Sequence, residues 1–214
     1  MKFAELLEIV GDDPLFDASL LRVGEANPRD VATQLSRWVH SGRIVQLRRG
    51  LYALATPYAR TRPAQFLIAN RLVEPSYVSE EAALSFHGLI PDVVQTVTSV
   101  TSGKGGVRRT PYGAFDYRHI KPSLLWGFEE TPVDRYGQVA LVAVPEKALL
   151  DLVYLRKGSD SRAFVAELRL QNTDRVDLLQ LEAMACRFDV PRVMRAAQVI
   201  AEAVETEREG WVEL

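Results

Sequence analysis

The chain has 214 residues and a mass of 24.0 kDa, with 47% hydrophobic and 25% charged residues, a globular balance that excludes a disordered polymer. No run approaches the roughly 18 apolar residues of a membrane span, and a single cysteine, Cys186, excludes both a disulfide framework and a cysteine-rich zinc centre. The formal net charge of −2 argues against nucleic acid only as an average: residues 1–62 hold nine Lys/Arg against seven Asp/Glu, and residues 63–214 hold 17 against 21. Glu5 follows the start too closely for a signal peptide, so a cytoplasmic protein is expected.

Phe3, Leu6, Leu7 and Val10 recur at helical spacing before Gly11-Asp12-Asp13-Pro14 breaks the pattern. Asp17–Val23 reads as a second short helix stopped by Gly24. Asn27-Pro28 is a strong helix start, since Asn caps and Pro suits the first helical position. The helix that follows places Val31, Leu35, Trp38 and Val39 on one face. The other face carries Arg29, Thr33, Ser36, Arg37 and His40, with Asp30 and Gln34 on the flanks, and Gly42 ends the helix. Two β-prone runs, Arg43–Leu47 and Leu51–Leu54, then flank Arg48-Arg49-Gly50 as a hairpin with arginines at its tip.

Three helices and a basic hairpin describe a winged helix-turn-helix, whose third helix enters the major groove while the wing lies along the backbone. Arg29, Thr33, Gln34 and Arg37 are the expected base-reading residues. Arg43, Arg48 and Arg49 are the expected phosphate contacts of the wing, because a guanidinium fork fits a phosphate. A winged module can also bind protein, but such a face would more often mix in Glu and Lys.

Arg60-Thr61-Arg62-Pro63 reads as a connector, after which Ala64–Leu72 resumes helical patterning. Ser79 can cap a helix through Phe86, with Gly88 ending it. The β-branched run Thr96–Thr101 predicts a strand. Gly103–Gly106 turns the chain, and Phe115–Ile120 is expected to return as the next strand. Gln138–Val144 is a further strand, and Pro145 opens a helix to Arg156. The remainder reads as helical, with Val193, Ala196, Ala197, Ile200 and Val204 on one stripe that covers the core of this part.

The module ending in Leu47-Arg48-Arg49-Gly50-Leu51-Tyr52-Ala53-Leu54 resembles the AbiEi antitoxin family of bacterial type IV, abortive-infection toxin–antitoxin operons. The resemblance continues through Tyr77–Pro91, Thr98–Gly103, Tyr117–Ile120 and Val144–Leu152, covering roughly residues 20 to 157. It implies an antitoxin that represses its own operon by binding upstream repeats. Its functional companion would be a nucleotidyltransferase-like toxin, counteracted without a stable complex.

Other motifs carry less. Gly103-Lys104-Gly105-Gly106 lacks the spacing of a phosphate-binding loop and joins strand to strand, leaving Lys104, Arg108 and Arg109 as a second basic surface. Gly158-Ser159-Asp160 resembles a nucleotidyltransferase start but lacks the carboxylate pair that would hold magnesium. His40, His87 and His119 have no metal-ligand spacing, and Cys186 reads as packing. His119 and the pair Glu146-Lys147 are the remaining candidates for chemistry, with a half-buried histidine and an exposed helix-start pair as the ordinary reading; no GxSxG elbow is present.

The sequence therefore predicts an α+β protein. Residues 1–60 form a winged helix-turn-helix, and residues 63–214 form a mixed α/β antitoxin domain, helical from about 159. The expected activity is antitoxin and autorepressor, with no enzymatic function, cofactor, metal or membrane. Double-stranded operator DNA is the partner, bound by a dimer or by cooperative monomers. The alternative is a stand-alone regulator whose second domain senses a ligand or partner.

Overall fold

A computed structural model describes residues 1–21 and 27–212. Helix α1 (Phe3–Val10) is followed by the short strand β1 (Phe16–Asp17) and a single 3-10 turn over Ala18–Leu21. This corrects the expected helix from Asp17. Phe16 and Asp17 extend to pair with Tyr52 and Leu51, and Arg22, Val23 and Gly24 lie outside the described residues. Helix α2 (Pro28–His40) starts where Asn27 caps it, its side chain accepting from the Arg29 N–H at 3.0 Å. Strands β2 (Ile44–Arg48) and β3 (Leu51–Leu54) complete a three-stranded antiparallel sheet in the order β1-β3-β2. A bulge between Gln46 and Arg48 twists the end of β2.

Helix α3 (Gln65–Leu72), strand β4 (Ser76–Val78) and helix α4 (Glu80–Phe86) open the second unit. Its strands β5 (Thr96–Thr101), β6 (Gly106–Thr110), β7 (Gly113–His119), β8 (Phe128–Pro132) and β9 (Val139–Ala143) join β4 in one mixed sheet, ordered β6-β7-β5-β4-β9-β8. The chain does not return from β5 through Gly103–Gly106 into β7, as expected from sequence. It first lays down β6 at the edge, so that β7 pairs parallel to β5, and the basic hairpin is β6–β7. Strands β4 and β9 are also parallel.

Helices α5 (Pro145–Leu155), α6 (Arg162–Glu167), α7 (Leu178–Phe188) and α8 (Pro191–Val212) follow. The predicted stripe Val193, Ala196, Ala197, Ile200 and Val204 is buried and joins the core of the second unit. Helix α5 is buried on every side, with Ala148, Leu149, Leu150, Leu152 and Val153 all enclosed, and is the central helix of that core.

The winged helix has its own core, in which Leu6, Phe16, Leu35, Trp38, Ile44, Tyr52 and Leu54 meet. Strand β3 is buried on both faces. Tyr52 and Leu54 point into that core, whereas Leu51 and Ala53, together with Leu15 and Leu47, belong to the core of the second unit. This is why the run Leu51-Tyr52-Ala53-Leu54 is apolar without alternation. Polar contacts tie the same junction. Arg71 pairs with Asp17 and with Glu74, and the Arg48 Nε donates to the Arg71 carbonyl at 3.0 Å.

Candidate nucleic-acid interface

Val31, Leu35 and Trp38 fix the orientation of α2 by burial, and this turns Arg29, Thr33, Ser36, Arg37 and His40 to solvent. Gln34 is half-buried at the margin of that face. Among the described residues Arg29 and Arg37 have no carboxylate partner. The Thr33 hydroxyl donates to the Arg29 carbonyl at 2.8 Å, leaving its lone pairs and methyl group outward. At the far end of α2, the Arg43 guanidinium lies 5.1 Å over the Phe3 ring. Phe3 is itself held edge-on by Trp38 at 5.4 Å and by Tyr58 at 4.8 Å. That stacking holds an exposed cation in place without neutralising it.

At the wing tip Gly50 takes φ +87°, a turn conformation that favours glycine, and its carbonyl accepts from Ala18 N–H at 2.8 Å. Arg49 is exposed there. Arg48 is half-buried, and besides the Arg71 carbonyl its guanidinium donates to the Arg49 carbonyl at 3.3 Å. Of the seven residues singled out in the sequence, Arg29, Thr33, Arg37, Arg43 and Arg49 thus share open surface, and Arg48 is engaged at the junction of the two units.

The second unit contains a polar constellation that the sequence reading did not assemble. Lys147, expected to be exposed, is wholly buried, and Glu146 nearly so. The Lys147 ammonium pairs with Asp151 and donates to the Tyr77 hydroxyl at 2.7 Å, and it also lies about 5 Å from the ring centres of Tyr77, Trp126 and Phe188. Tyr77 and Ser79 each donate to Asp151 Oδ2 at 2.8 Å. Burial pushes the Asp151 carboxyl up and the Lys147 ammonium down, and burial likewise pushes the Tyr77 phenol up. Glu146 accepts from the Asp177 N–H at 2.7 Å, and burial raises its carboxyl.

Glu80 begins α4 in the left-handed region, φ +52°, which is strained for a residue with a side chain. It is 1% exposed, and burial pushes its carboxyl up to about 7. Its Oε1, the Oε2 of Glu81 and the Oγ of Ser99 have no hydrogen-bond partner among the described residues. Glu81 also pairs with Arg156 beside a groove of about 430 Å³, lined further by Thr98, Arg109 and Asp116. The signal that could have exposed the network is the Lys147–Asp151 spacing of four within a helix whose other residues from Ala148 to Leu155 are almost all apolar, because charges on such a helix must be buried and paired.

The other flagged groups are structural. His87 donates to the Ala143 carbonyl at 2.7 Å and His119 to the Gly103 carbonyl at 2.9 Å. Cys186 is exposed, not packed as expected, and lines an open groove between α7 and α8. No group of His, Cys, Asp and Glu among the described residues is arranged to hold a metal ion, and no helix among them is long and apolar enough to cross a membrane.

Fold and exposed surface together define a winged-helix module joined to a mixed α+β unit. Residues 17–55 match the family model described as "Transcriptional regulator, AbiEi antitoxin", which bears out the resemblance over the winged helix. A solved structure, the RV2827C protein from Mycobacterium tuberculosis, shares the fold at 13% identity and a TM-score of 0.53, covering 92% of this chain and 75% of that one. No curated protein matches the chain.

Proposed function

We propose that this protein is an antitoxin and transcriptional autorepressor that binds double-stranded operator DNA through α2 and the β2–β3 wing. The reading divides the chain near the connector at residues 60–63, giving the winged helix to DNA and the second unit to counteracting a nucleotidyltransferase-like toxin. The observation that carries it is the set of exposed arginines without carboxylate partners among the described residues, Arg29, Arg37, Arg43 and Arg49, on the module whose residues 17–55 match the family model. Arg29, Thr33, Gln34 and Arg37 read base edges in this scheme, and Arg43, Arg49 and the remaining reach of Arg48 hold phosphates.

The test is a titration of the protein's own upstream DNA against a scrambled duplex. Arg37→Ala should cost about 1–3 kcal/mol on the operator and much less on the scrambled sequence. Equal loss on both would remove Arg37 from base reading. Absence of binding by the wild type at low salt would end the operator assignment.

A second reading, a stand-alone regulator that senses a small molecule, is favoured by one feature. Two grooves share Leu67, Arg71 and Val139: one of about 700 Å³ is lined from both units, by Asp12 to Leu15 and by Tyr136 to Val139, and it adjoins one of about 400 Å³ within the second unit. Shared grooves at such a junction are where a ligand would couple the two. Release of operator DNA by a small molecule, in cells lacking any toxin gene, would favour that reading.

A further inference from the structure

The six-stranded sheet has edges of opposite charge. Its β8 edge carries Glu129 and Glu130 and no cation, whereas the β6–β7 hairpin and its flanks, residues 104–121, carry Lys104, Arg108, Arg109, Arg118 and Lys121 against one acid, Asp116. Asp116 pairs with Arg118 at 3.1 Å. The other four cations have no carboxylate partner among the described residues, in a part of the chain that is net negative. The two edges are about 24 Å apart, five strand spacings.

Charged side chains on edge strands guard against edge-to-edge pairing. That duty does not choose a sign, and β8 discharges it with Glu129, Glu130 and Pro132. An uncompensated cluster of one sign repels itself, and a polyanion relieves that repulsion. The hairpin is also rigid at both ends. At the start of β6, a side chain at Gly105 would meet the Tyr117 carbonyl at 2.6 Å, His119 holds the Gly103 carbonyl, and the Gly103 N–H donates to Thr101 Oγ1 at 3.0 Å. At the turn, Gln65 Nε2 donates to the Tyr112 carbonyl at 2.8 Å, and the Arg62 guanidinium lies 5.6 Å over the Tyr112 ring. The basic edge therefore begins beside Arg62 of the connector and runs through Arg109 and Arg108 to Lys104.

We propose that the β6–β7 edge is a second contact for the phosphate backbone of the duplex read by the winged helix, beyond the half-site that α2 occupies. This rests on the DNA-binding reading above. It extends the footprint without adding base recognition, because a row of cations on an edge strand offers charge and no groove-shaped element.

The experiment is a fluorescence-anisotropy titration of the full chain across a range of salt concentrations. It uses an upstream duplex of about 12 base pairs, roughly one helical turn, and one of about 30. Lys104→Gln/Arg108→Gln/Arg109→Gln should lower the salt slope on the long duplex by about 2–3 and weaken binding there about 10-fold or more at physiological salt. The short duplex should bind as before. Glu129→Gln/Glu130→Gln, which changes charge at the opposite edge, should leave the slope unaltered. An unchanged slope for a triple variant that melts like the wild type overturns the proposal. So does a loss confined to single-stranded RNA of the same length, which would assign the edge to RNA. If the wild type fails to bind either duplex, the operator reading falls and this inference falls with it; if it binds and the triple variant matches it, only the edge contact is lost.

Discussion

The outside of the winged helix and the inside of the second unit use charge in opposite ways. On α2 and the wing, Arg29, Arg37, Arg43 and Arg49 stand in water with no carboxylate partner among the described residues. Around α5 every charge is withdrawn from water, and Lys147, Asp151, Tyr77 and Ser79 satisfy one another. Removal of an exterior arginine should therefore alter binding and spare the fold, while removal of an interior partner should do the reverse.

The largest effect expected is at Asp151. Asp151→Ala strands the Lys147 ammonium in a sealed, aromatic-lined site and should cost about 3–5 kcal/mol in urea denaturation. Lys147→Met/Asp151→Leu should recover most of that loss, and a double variant as unstable as the single would show that the network does more than satisfy itself. The affinity of the folded fraction for DNA should be unchanged in both.

Next comes Glu80. Its folded carboxyl lies near pH 7 against an ordinary 4.5. Below about pH 4.5 it is protonated in both states and makes no difference. From there to about 7 the unfolded chain gives up its proton first, so stability falls as pH rises, by about 3 kcal/mol from this group. Glu80→Gln should remove that loss, raising the denaturation midpoint at pH 8 and leaving it unmoved at pH 4.5. A midpoint that drops at pH 8 would mean that the ionised carboxylate has a partner.

The smallest effects separate neighbours on the wing. Arg49→Ala should reduce the salt slope of operator binding by about one with stability intact. Arg48→Ala should also lose the bond to the Arg71 carbonyl, worth about 1 kcal/mol of stability. If Arg48→Ala leaves the salt slope alone, its guanidinium belongs wholly to the junction.

Local signals were legible where chemistry is local. Asn27-Pro28 marked the start of α2, Gly42 its end, and Arg48-Arg49-Gly50 the wing, and all three hold. Strand β4 was hidden because three residues wedged between Pro75 and α4 are too few to show a period. Strand β8 was hidden because Phe-Glu-Glu-Thr-Pro has the polar composition of an edge. The parallel pairing of β5 with β7 depends on a strand inserted between them in sequence, which no window of neighbouring residues reports. In the interface, periodicity located the open face of α2. It could not foresee that Arg48 meets a carbonyl 23 residues away, because that contact arises from the packing of two units.

Strand β3 serves two cores at once, and this fixes what cutting the chain would do. A fragment ending at the connector would carry the recognition helix intact, yet its sheet would show a bare greasy side of Leu15, Leu47, Leu51 and Ala53 where the second unit had been. Such a fragment would clump before it reached any operator. The winged helix and the body behind it are two leaves pressed on a single spine, the strand β3.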